Sequence, residues 1–268
     1  MSLIYALSDI HGFYESMLDT LSLVDLDSDK ENKLLFLGDY VDRGKDSCKV
    51  LYHVKKMDEV YPNQVEVLIG NHDEMFMDWF TLKDKDDWHP WISYYFDTLK
   101  SFLGAEFVDS VKNLPKKPGL FFEINGMALT GMRKRHSDLQ DWLLSKEKNR
   151  FFENKKNSQI YLHAGLLEEA GDLWKQGTPD SYFTQKFPAE TGSFYMDIIA
   201  GHVSSATAAK NDDYLGKVYY DGKSHFYIDG ETERSCIVPL LKFNTATGVY
   251  SSYDKATNGS WVEYKIKG

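Results

Sequence analysis

Apolar runs and helical patterns alternate through the first third of the chain. Residues 3–7, 34–37 and 65–69 are short apolar runs, and each is followed by apolar positions spaced as on one face of a helix. Strands joined by helices in this way run parallel with right-handed crossovers. The pattern therefore predicts a βαβαβα unit in which the carboxyl ends of the strands lie along one edge of a sheet.

Residues 83–114 break this pattern, since a run of charged residues is followed by many aromatic ones. We expect a helical aromatic insert here. Further along, Asn125-Gly126 separates the apolar runs 120–124 and 127–130, which is typical of a tight β-hairpin. The hydrophobic pattern thus predicts two antiparallel strands joined at Asn125.

Apolar runs at 160–163 and 197–200 predict two more buried strands, and the last third of the chain alternates short apolar segments with turn residues, as antiparallel strands do. A parallel sheet followed by a β-rich half favours two sheets packed together with helices outside. We therefore expect an α/β (α+β) fold with a central two-sheet mixed β-sandwich flanked by helices. A length of 268 residues fits a single domain over 1–268.

The charge balance limits the partners that the protein can bind. The formal net charge is −10 at pH 7, which disfavours binding to nucleic acid and anionic lipid, because both depend mainly on Lys and Arg. No apolar run approaches the roughly 18 residues of a membrane helix, and no signal peptide opens the chain. We expect a soluble cytoplasmic protein without nucleic-acid or membrane partners, and the oligomeric state is not predicted.

The cysteines suggest no chemistry of their own. Cys48 and Cys236 are far apart and lack metal-binding spacing, so two ordinary thiols are expected. A phosphatase with a cysteine nucleophile needs an Arg six residues later to hold the phosphate, and these positions are Val54 and Lys242. A cysteine-dependent mechanism is therefore set aside.

Polar side chains beside glycines follow five of the predicted strands. They are Asp9, His11, Asp39, Asn71, His163 and His202. Carboxylate and imidazole ligands together suit Mn, Fe or Zn, whereas an oxygen-only set would suit Mg or Ca. Asp9 and His11 point the same way from an extended segment and can hold one ion. Because Asp39 can bridge two ions and the remaining three residues can complete a second site, the sequence predicts a dinuclear metal centre.

Each of these segments has a simpler explanation when taken alone. An Asp-x-His pair occurs in surface turns, a Gly-Asn-His segment occurs in Asx turns, and a single buried His is often a satisfied core residue. Five coincidences in the right order at strand ends are improbable, which favours the metal centre. The other histidines lie in no such context and are expected to be structural or surface residues: His53, His89, His136 and His225.

The same segments resemble the signatures of a known enzyme family. They are Asp9-Ile10-His11-Gly12, Gly38-Asp39 followed by Asp42-Arg43-Gly44, Gly70-Asn71-His72-Asp73-Glu74, His163-Ala164-Gly165 and Gly201-His202. The set resembles the calcineurin-like metallophosphoesterases, and its Asp-Arg-Gly block resembles the phosphoprotein phosphatase branch, which includes Ser/Thr protein phosphatases and symmetrical diadenosine polyphosphate hydrolases. The resemblance implies a β-sandwich with flanking helices and two divalent metal ions, with Mn preferred and Fe or Zn as alternatives.

The resemblance also implies roles for three candidate catalytic residues. Arg43 would bind phosphoryl oxygens, and Asn71 would also contact the substrate. His72 would protonate the leaving oxygen, and Asp42 would fix the tautomer of that imidazole. A hydroxide activated by both metals would attack phosphorus directly. An alternative for Asp42 and Arg43 is a salt bridge that only holds the loop.

The chain departs from the family between the two late histidines. Protein phosphatases of the family carry another phosphate-binding Arg there, and residues 161–200 contain no Arg. Lys175 is the nearest candidate substrate-binding substitute and Lys186 is another, although lysine lacks the forked donor geometry of arginine. Arg133 or Arg135 is an alternative contact for an anionic part of the substrate, but a solvated charged turn is the favoured interpretation.

Three functions agree with this pattern. The leading one is a metal-dependent phosphomonoesterase of the bacterial Ser/Thr protein phosphatase type, acting on phosphorylated protein or small phosphoesters. The second is a dinucleoside polyphosphate hydrolase in which Trp88, Trp91 or Tyr94 stacks on a base, although core packing is the favoured interpretation of these aromatics. The third, a non-catalytic metal-binding module, is disfavoured because His72 and Arg43 accompany a full ligand set.

Overall fold

The computed structural model describes residues 2–82, 96–114 and 119–268 and contains two mixed β-sheets. Within those ranges the strands are, in chain order, β1 (Leu3–Leu7), β2 (Lys33–Phe36), β3 (Val65–Val67), β4 (Phe151–Asn154), β5 (Gln159–Leu162), β6 (Asp197–Ser204), β7 (Tyr219–Tyr220), β8 (His225–Asp229), β9 (Leu241–Asn244), β10 (Val249–Lys255) and β11 (Trp261–Lys267). One sheet has the order β11-β10-β9-β1-β2-β3, and the other has the order β4-β5-β6-β8-β7.

Parallel strands occupy the part of each sheet that carries the candidate ligands. β1, β2 and β3 pair in parallel, as the βαβαβα pattern predicts, and β5, β6 and β8 pair in parallel in the second sheet. The remaining strands are added antiparallel. Because parallel strands end at the same edge of a sheet, the residues that follow β1, β2 and β3 are neighbours, as are those that follow β5 and β6.

Side chains alternate in direction along each strand, so both faces of the first sheet carry apolar side chains. In β1, Ile4 and Ala6 join a core that also contains Tyr161 and Ile199 from the second sheet, whereas Tyr5 belongs to the core beneath the helices. Successive side chains of a strand point to opposite faces, so one short strand serves two layers. The predicted two-sheet sandwich with helices outside is confirmed.

Helices cover the outer faces of the sheets. In the described residues they are α1 (Tyr14–Leu21), α2 (Ser47–Val60), α3 (Asn71–Phe80), α4 (Phe96–Lys112), α5 (Leu120–Arg135), α6 (Ser137–Lys146), α7 (Trp174–Gly177), α8 (Asp180–Gln185), α9 (Ser205–Ala209) and α10 (Thr232–Ser235). Short 3-10 turns lie at Lys155–Asn157, Glu168–Leu173 and Asp212–Tyr214. None of these helices is long and apolar enough to cross a membrane.

The hairpin predicted at Asn125-Gly126 is wrong, since both residues lie inside helix α5. The buried positions of α5 are Asn125, Ala128, Leu129 and Met132, which share one face at helical spacing. The Asn125 side chain is fully buried, and its Oδ1 accepts a 2.8 Å hydrogen bond from Nε1 of Trp79. Packing of this face against α3 and α6 outweighs the local turn preference of Asn-Gly.

The described part of the expected insert is helical. Helix α4 is interrupted at Gly104, whose φ of 78° is outside the helical range, and it packs against α2 and α5. Residues 83–95, with Trp88, Trp91 and Tyr94, lie outside the described residues, so an aromatic insert over 83–114 stays a prediction. His89 also lies in that segment.

Candidate active site

Four of the six predicted ligands, and Asp42 and Arg43 beside them, have backbone angles that few residues with a side chain adopt. Positive φ angles occur at six candidate site residues, which are Asp9, His11, Asp39, Asp42, Arg43 and His202, with values between 47° and 73°. Such angles are costly for residues with a side chain and persist where the surrounding structure enforces them. Here each turn directly follows β1 or β2 or lies within β6, so the sheets hold the strained residues in place.

Two glycines allow the loops to come close together. A Cβ atom at Gly70 would lie 2.2 Å from Oδ1 of Asp39, and a Cβ atom at Gly201 would lie 2.2 Å from Oδ2 of Asp9. No side chain tolerates such a contact, because backbone and carboxylate are already in van der Waals contact there. The glycines beside the candidate ligands therefore serve close packing.

The segments after β1, β2, β3 and β5 and one position within β6 bring the six predicted ligands into one cluster. Oδ2 of Asp39 lies 3.4 Å from Nε2 of His11 and 3.5 Å from Nε2 of His163. Nε2 of His11 also lies 3.9 Å from Oδ1 of Asp9. Oδ1 of Asn71 lies 3.1 Å from Nε2 of His163 and 3.0 Å from Nδ1 of His202. The structure thus places Asp39 between the two groups of ligands that the sequence separates.

Backbone carbonyls set the tautomers of two of these imidazoles. Nδ1 of His11 lies 2.8 Å from the carbonyl of Val41, and Nδ1 of His163 lies 2.9 Å from that of Leu37. A carbonyl only accepts hydrogen bonds, so each Nδ1 carries a proton and each neutral ring turns an Nε2 lone pair towards Asp39. Among the described residues, Nε2 of His11 is buried and has no hydrogen-bond partner. Lone pairs that converge on a carboxylate fit a cation between them.

Burial controls the protonation of the cluster. It lowers the pKa of His163 to about 3 and that of His202 to about 4, so both rings are neutral at physiological pH. Burial also raises the pKa of Asp39, and the neighbouring charge of Asp9 adds to that rise. Neutral imidazole and a carboxylate that needs a compensating positive charge are the donor set of a transition-metal site.

Two overlapping groups of donors in the described residues are close enough to hold ions. One contains His11, Asp39 and His72, and the other contains Asp39, His163 and His202, with ligand atoms in each group within 4.8 Å of one another. The first group includes His72, which the sequence assigns to proton transfer. Its location beside the candidate metal position agrees with either role, and removal of its side chain distinguishes them.

His72 belongs to a chain of buried hydrogen bonds. Its Nδ1 donates to Oδ2 of Asp42 at 2.8 Å, and the hydroxyl of Thr98 donates to Oδ1 of the same carboxylate at 2.7 Å. The backbone N–H of Asp42 in turn donates to Oγ1 of Thr98 at 3.1 Å. The rings of His72 and His11 meet edge to face with centroids 4.8 Å apart. Asp42 therefore orients His72, and Thr98 orients Asp42.

Sequence reasoning missed three residues that support the cluster. The carboxylate of Asp73 accepts hydrogen bonds from the backbone N–H groups of Asp39, Tyr40 and Gly70 at 2.6, 2.9 and 3.0 Å. The hydroxyl of Thr232 donates to the carbonyl of Asp9 at 3.0 Å. Asp73 lies inside the segment Gly70-Asn71-His72-Asp73-Glu74, so the sequence could have indicated its role. Thr98 and Thr232 carry no local signal, because their partners are distant in sequence.

The exposed side chain of Arg43 contributes positive charge to this centre. Its guanidinium lowers the pKa of both Asp9 and Asp39, in each case against the larger effect of burial. The side chain of Arg43 is accessible, because it lines an open groove beside Gly12. A cation at this position can bind an anionic substrate next to the metal ligands.

The ammonium groups of the two proposed substitutes for a second phosphate-binding Arg have partners other than the six predicted ligands. Nζ of Lys175 lies 2.5 Å from Oε2 of Glu153 and stacks over the ring of Trp174. Nζ of Lys186 donates to the carbonyl of Leu166 and lies 2.5 Å from Oε2 of Glu190. Both ammonium groups are thus occupied by acidic or backbone partners.

Arg133 and Arg135 do not follow a strand as expected, since both lie in the last turn of α5. Arg133 donates to the carbonyl of Leu82, and Nη1 of Arg135 donates to the carbonyl of Leu103 at 2.9 Å. These bonds tie α5 to neighbouring segments. Their role in the structure is to satisfy backbone carbonyls.

The sequence is similar to those of several known proteins. The family model described as calcineurin-like phosphoesterase matches residues 2–205. A symmetrical bis(5'-nucleosyl)-tetraphosphatase from Legionella pneumophila is 38% identical over 69 residues, or 26% of this chain and 23% of that protein. Serine/threonine-protein phosphatase 2 from Salmonella typhimurium is 30% identical over 115 residues, or 43% of this chain and 50% of that protein.

These sequence matches cover less than a quarter of the tetraphosphatase and half of the protein phosphatase. Among solved structures, a cold-active protein-tyrosine phosphatase of a psychrophilic Shewanella species superposes with a TM-score of 0.55. The superposition covers 99% of this chain and 80% of that one at 16% identity. Because the identity is this low, the superposition shows a shared fold and nothing more.

Proposed function

The chain belongs to the calcineurin-like phosphoesterase family, and from that premise we propose that it is a metal-dependent phosphomonoesterase acting on phosphoserine and phosphothreonine residues of proteins. The observation that carries this proposal is the position of Asp39 Oδ2, which lies 3.4 Å and 3.5 Å from the unprotonated Nε2 atoms of His11 and His163. Two cations would fit here, with Asp39 as a ligand available to both.

The residues would divide into two metal sites. Asp9, His11 and Asp39 would hold one ion, and Asp39 with Asn71, His163 and His202 would hold the other. We propose Mn for both sites, with Fe or Zn as alternatives, because imidazole and carboxylate ligands suit these metals. When bound, the ions would supply positive charge and lower the pKa of a water molecule.

Side chains of this protein would perform the remaining steps. The planar guanidinium of Arg43 would hold two phosphoryl oxygens and stabilise the charge that develops on them. His72 would donate its Nε2 proton to the departing oxygen, while its Nδ1–H stays hydrogen-bonded to Asp42. Thr98 would act as a positioning residue through Asp42. This division needs no covalent intermediate on the protein.

The choice of substrate rests on the relatives. The match to serine/threonine-protein phosphatase 2 covers more of both chains than the match to the tetraphosphatase does, which favours a phosphoprotein. Hydrolysis of dinucleoside polyphosphates is the second candidate, because the tetraphosphatase match has the higher identity over its shorter length. Since Arg43 and His72 both adjoin the candidate ligands, a purely structural metal site is disfavoured.

A substrate panel on Mn-loaded protein tests the proposal. We expect release of phosphate from a phosphoserine or phosphothreonine peptide and from an aryl phosphate, with slower hydrolysis of diadenosine tetraphosphate. Faster hydrolysis of the dinucleotide would transfer the assignment to the second candidate. No hydrolysis of any of these compounds by protein that contains two metal ions per chain would contradict catalysis.

A further inference from the structure

Two open hollows flank helix α8, and both are lined by Ser181 and Gln185 on its exposed face. One hollow, of about 330 Å³, extends towards α3 and α6, and the other, of about 400 Å³, extends towards residues 186–190. Because the hollows share two residues, they form one continuous surface, which we call the α8 groove. Each has the volume of a small-molecule pocket, about 300 to 1,000 Å³, so each can accept an amino-acid side chain.

Helix α8 is held against two of the segments that carry candidate metal ligands. The carbonyl of Phe183 accepts a 2.8 Å hydrogen bond from the N–H of Ala164, which directly follows His163. The buried hydroxyl of Thr184 donates to Oε2 of Glu74 at 2.7 Å. The side chain of Phe183 is buried as well. The α8 groove is therefore formed before a ligand binds, which reduces the entropy cost of binding.

The α8 groove begins one helical turn from the candidate active site. Glu74 and Met75 line the hollow on the α3 side, and they follow Asn71 and His72 by three positions on the same helix. Side chains three positions apart on a helix are neighbours, with Cβ atoms about 5 to 6 Å apart. An extended chain advances about 3.3 to 3.6 Å per residue. The second or third residue from a phosphoserine at the ligand cluster would therefore reach the groove.

Exposed apolar side chains line the α8 groove on both sides of the helix. Leu144 in the first hollow is 44% exposed, and Phe187 in the second is 71% exposed. Tyr182, on α8 itself, also lines the second hollow and is 37% exposed. Exposed apolar side chains that share one concave surface are typical of sites that bind another chain, because the partner removes them from water.

The charged residues indicate which chain the α8 groove binds. Both basic side chains that line it in the described residues are paired within the groove, Arg150 with Glu74 and Lys186 with Glu190. The acidic residues of its lining exceed the basic ones by three; they are Glu74, Asp78, Glu147, Glu169 and Glu190. Such a surface attracts Lys and Arg and repels the phosphates of a nucleotide. A second copy of this chain fits poorly, because its net charge is also −10.

From these observations we propose that the α8 groove binds the polypeptide that flanks the phosphorylated residue of a protein substrate. It would select segments with basic residues two or three positions from the phosphoserine or phosphothreonine. This inference rests on the proposed phosphomonoesterase activity and adds the sequence context of its substrate. The charged end of a Lys or Arg would approach Glu147 or Glu169, which are both exposed, and its aliphatic stem would pack on Leu144 or Phe187.

The test compares two phosphoserine peptides of equal length on metal-loaded protein. The residues two and three positions away on both sides are Lys in one peptide and Gln in the other. We expect a higher kcat/KM for the Lys peptide and a smaller difference at high salt, because salt screens exposed charges. In the double variant Glu147→Gln/Glu169→Gln, KM for the Lys peptide should rise about 3- to 10-fold with kcat unchanged, since docking contacts form equally in the ground and transition states. KM for the Gln peptide should not change.

Two reference measurements separate docking from chemistry and from the overall charge. Glu31→Gln removes an exposed carboxylate two residues before β2, at the opposite edge of the sheet from the candidate active site, and should leave KM for both peptides unchanged. An aryl phosphate has no flanking residues, so the wild type and both variants should hydrolyse it equally well.

The outcomes distinguish the α8 groove from the activity on which it rests. Equal kcat/KM for the two peptides, an equal rise in KM for both in the double variant, or hydrolysis of the aryl phosphate alone would overturn peptide docking and leave phosphomonoesterase activity in place. A dimer in sedimentation that dissociates in Phe187→Ser would assign the groove to a second copy of the chain and would also overturn it. If metal-loaded wild type hydrolyses neither the aryl phosphate nor the peptides, the phosphomonoesterase proposal itself fails.

Discussion

The hydroxyl of Thr98 donates a 2.7 Å hydrogen bond to Asp42, a residue 56 positions earlier in the chain. The other oxygen of this carboxylate accepts from His72, so a threonine on helix α4 determines how the candidate general acid is held. Because the three side chains are buried or nearly so, the loss of one hydrogen bond is not readily replaced by water. Helix α4 is thereby connected to the candidate chemistry.

Substitution of Thr98 tests this connection. Thr98→Val keeps the shape and removes the hydroxyl, and we expect kcat to fall about 3- to 30-fold with bound metal unchanged, because Asp42 loses one of its hydrogen-bond donors. The pH dependence of kcat should also shift, since Asp42 and His72 are linked. Thr98→Ser should restore both. A Thr98→Val enzyme with the wild-type kcat and pH profile would remove Thr98 from the account.

His72→Asn separates the two roles that the geometry allows for His72. As general acid, His72 contributes to turnover and not to metal affinity, so we expect kcat to fall about 10²- to 10⁴-fold while two metal ions remain bound. Metal analysis of the purified variant provides the second readout. The control His136→Asn alters a histidine at the junction of α5 and α6 and should leave turnover intact. Loss of one ion in His72→Asn would make His72 a ligand.

The buried His225 makes stability depend on pH. Burial lowers its pKa, but Glu168 at 3.0 Å from Nε2 and Asp221 at 3.1 Å from Nδ1 more than offset this, so its pKa is raised above 6.5. A raised pKa in the folded state gives stability that is fully present below the unfolded value and is lost as pH rises through the folded value. We expect the unfolding free energy to decrease over that range.

Urea unfolding of metal-free protein at several pH values checks the contribution of His225. The slope should be reduced in His225→Gln, because glutamine does not titrate. The measurement is made without metal, so that pH-dependent metal release does not contribute to the slope. The candidate ligands are the same in both proteins, so their titration does not account for a difference between the slopes. An identical slope in the two proteins would show that His225 has the same pKa when folded and unfolded.

Asn125→Ala tests the helical structure of the segment whose sequence pattern predicts a hairpin. The hydrogen bond from the indole N–H of Trp79 to Oδ1 of Asn125 would be lost from the core, and we expect the free energy of unfolding to fall by about 1 to 3 kcal/mol. Thr130→Ala, on the exposed side of α5, should change it by less than about 0.5 kcal/mol. Equal effects of the two substitutions in denaturant unfolding would contradict the buried hydrogen bond.

The fold could be predicted where local pattern and tertiary structure agree. The strands that precede Asp9, Asp39 and Asn71 are buried on both faces, so their apolar runs stand out, and parallel pairing explains why the following residues meet. The Asn125-Gly126 segment shows the opposite case. Its turn preference is local, whereas its helical face is stabilised by Trp79, 46 positions away, which no short window includes.

The candidate site likewise contains residues that local sequence reveals and residues that it does not. His163 and His202 are recognisable because each follows a run of apolar residues and has a glycine within two positions, whereas Thr98 is one polar residue in an otherwise ordinary helix. Lys175 is the nearest cation in sequence to the position of the missing Arg, but Glu153 on β4 binds its ammonium group. Charge alone therefore does not identify a phosphate contact, because the sequence does not show which cations are already paired.

Anomalous scattering from a crystal grown with Mn tests the central claim most directly. We predict two peaks about 3.5 to 4 Å apart, with a carboxylate oxygen of Asp39 bound to both. Asp9 and His11 should contact only one of the ions, and Asn71, His163 and His202 only the other. A crystal with Mn bound elsewhere and none beside Asp39 would contradict the dinuclear centre and the phosphoesterase mechanism that depends on it.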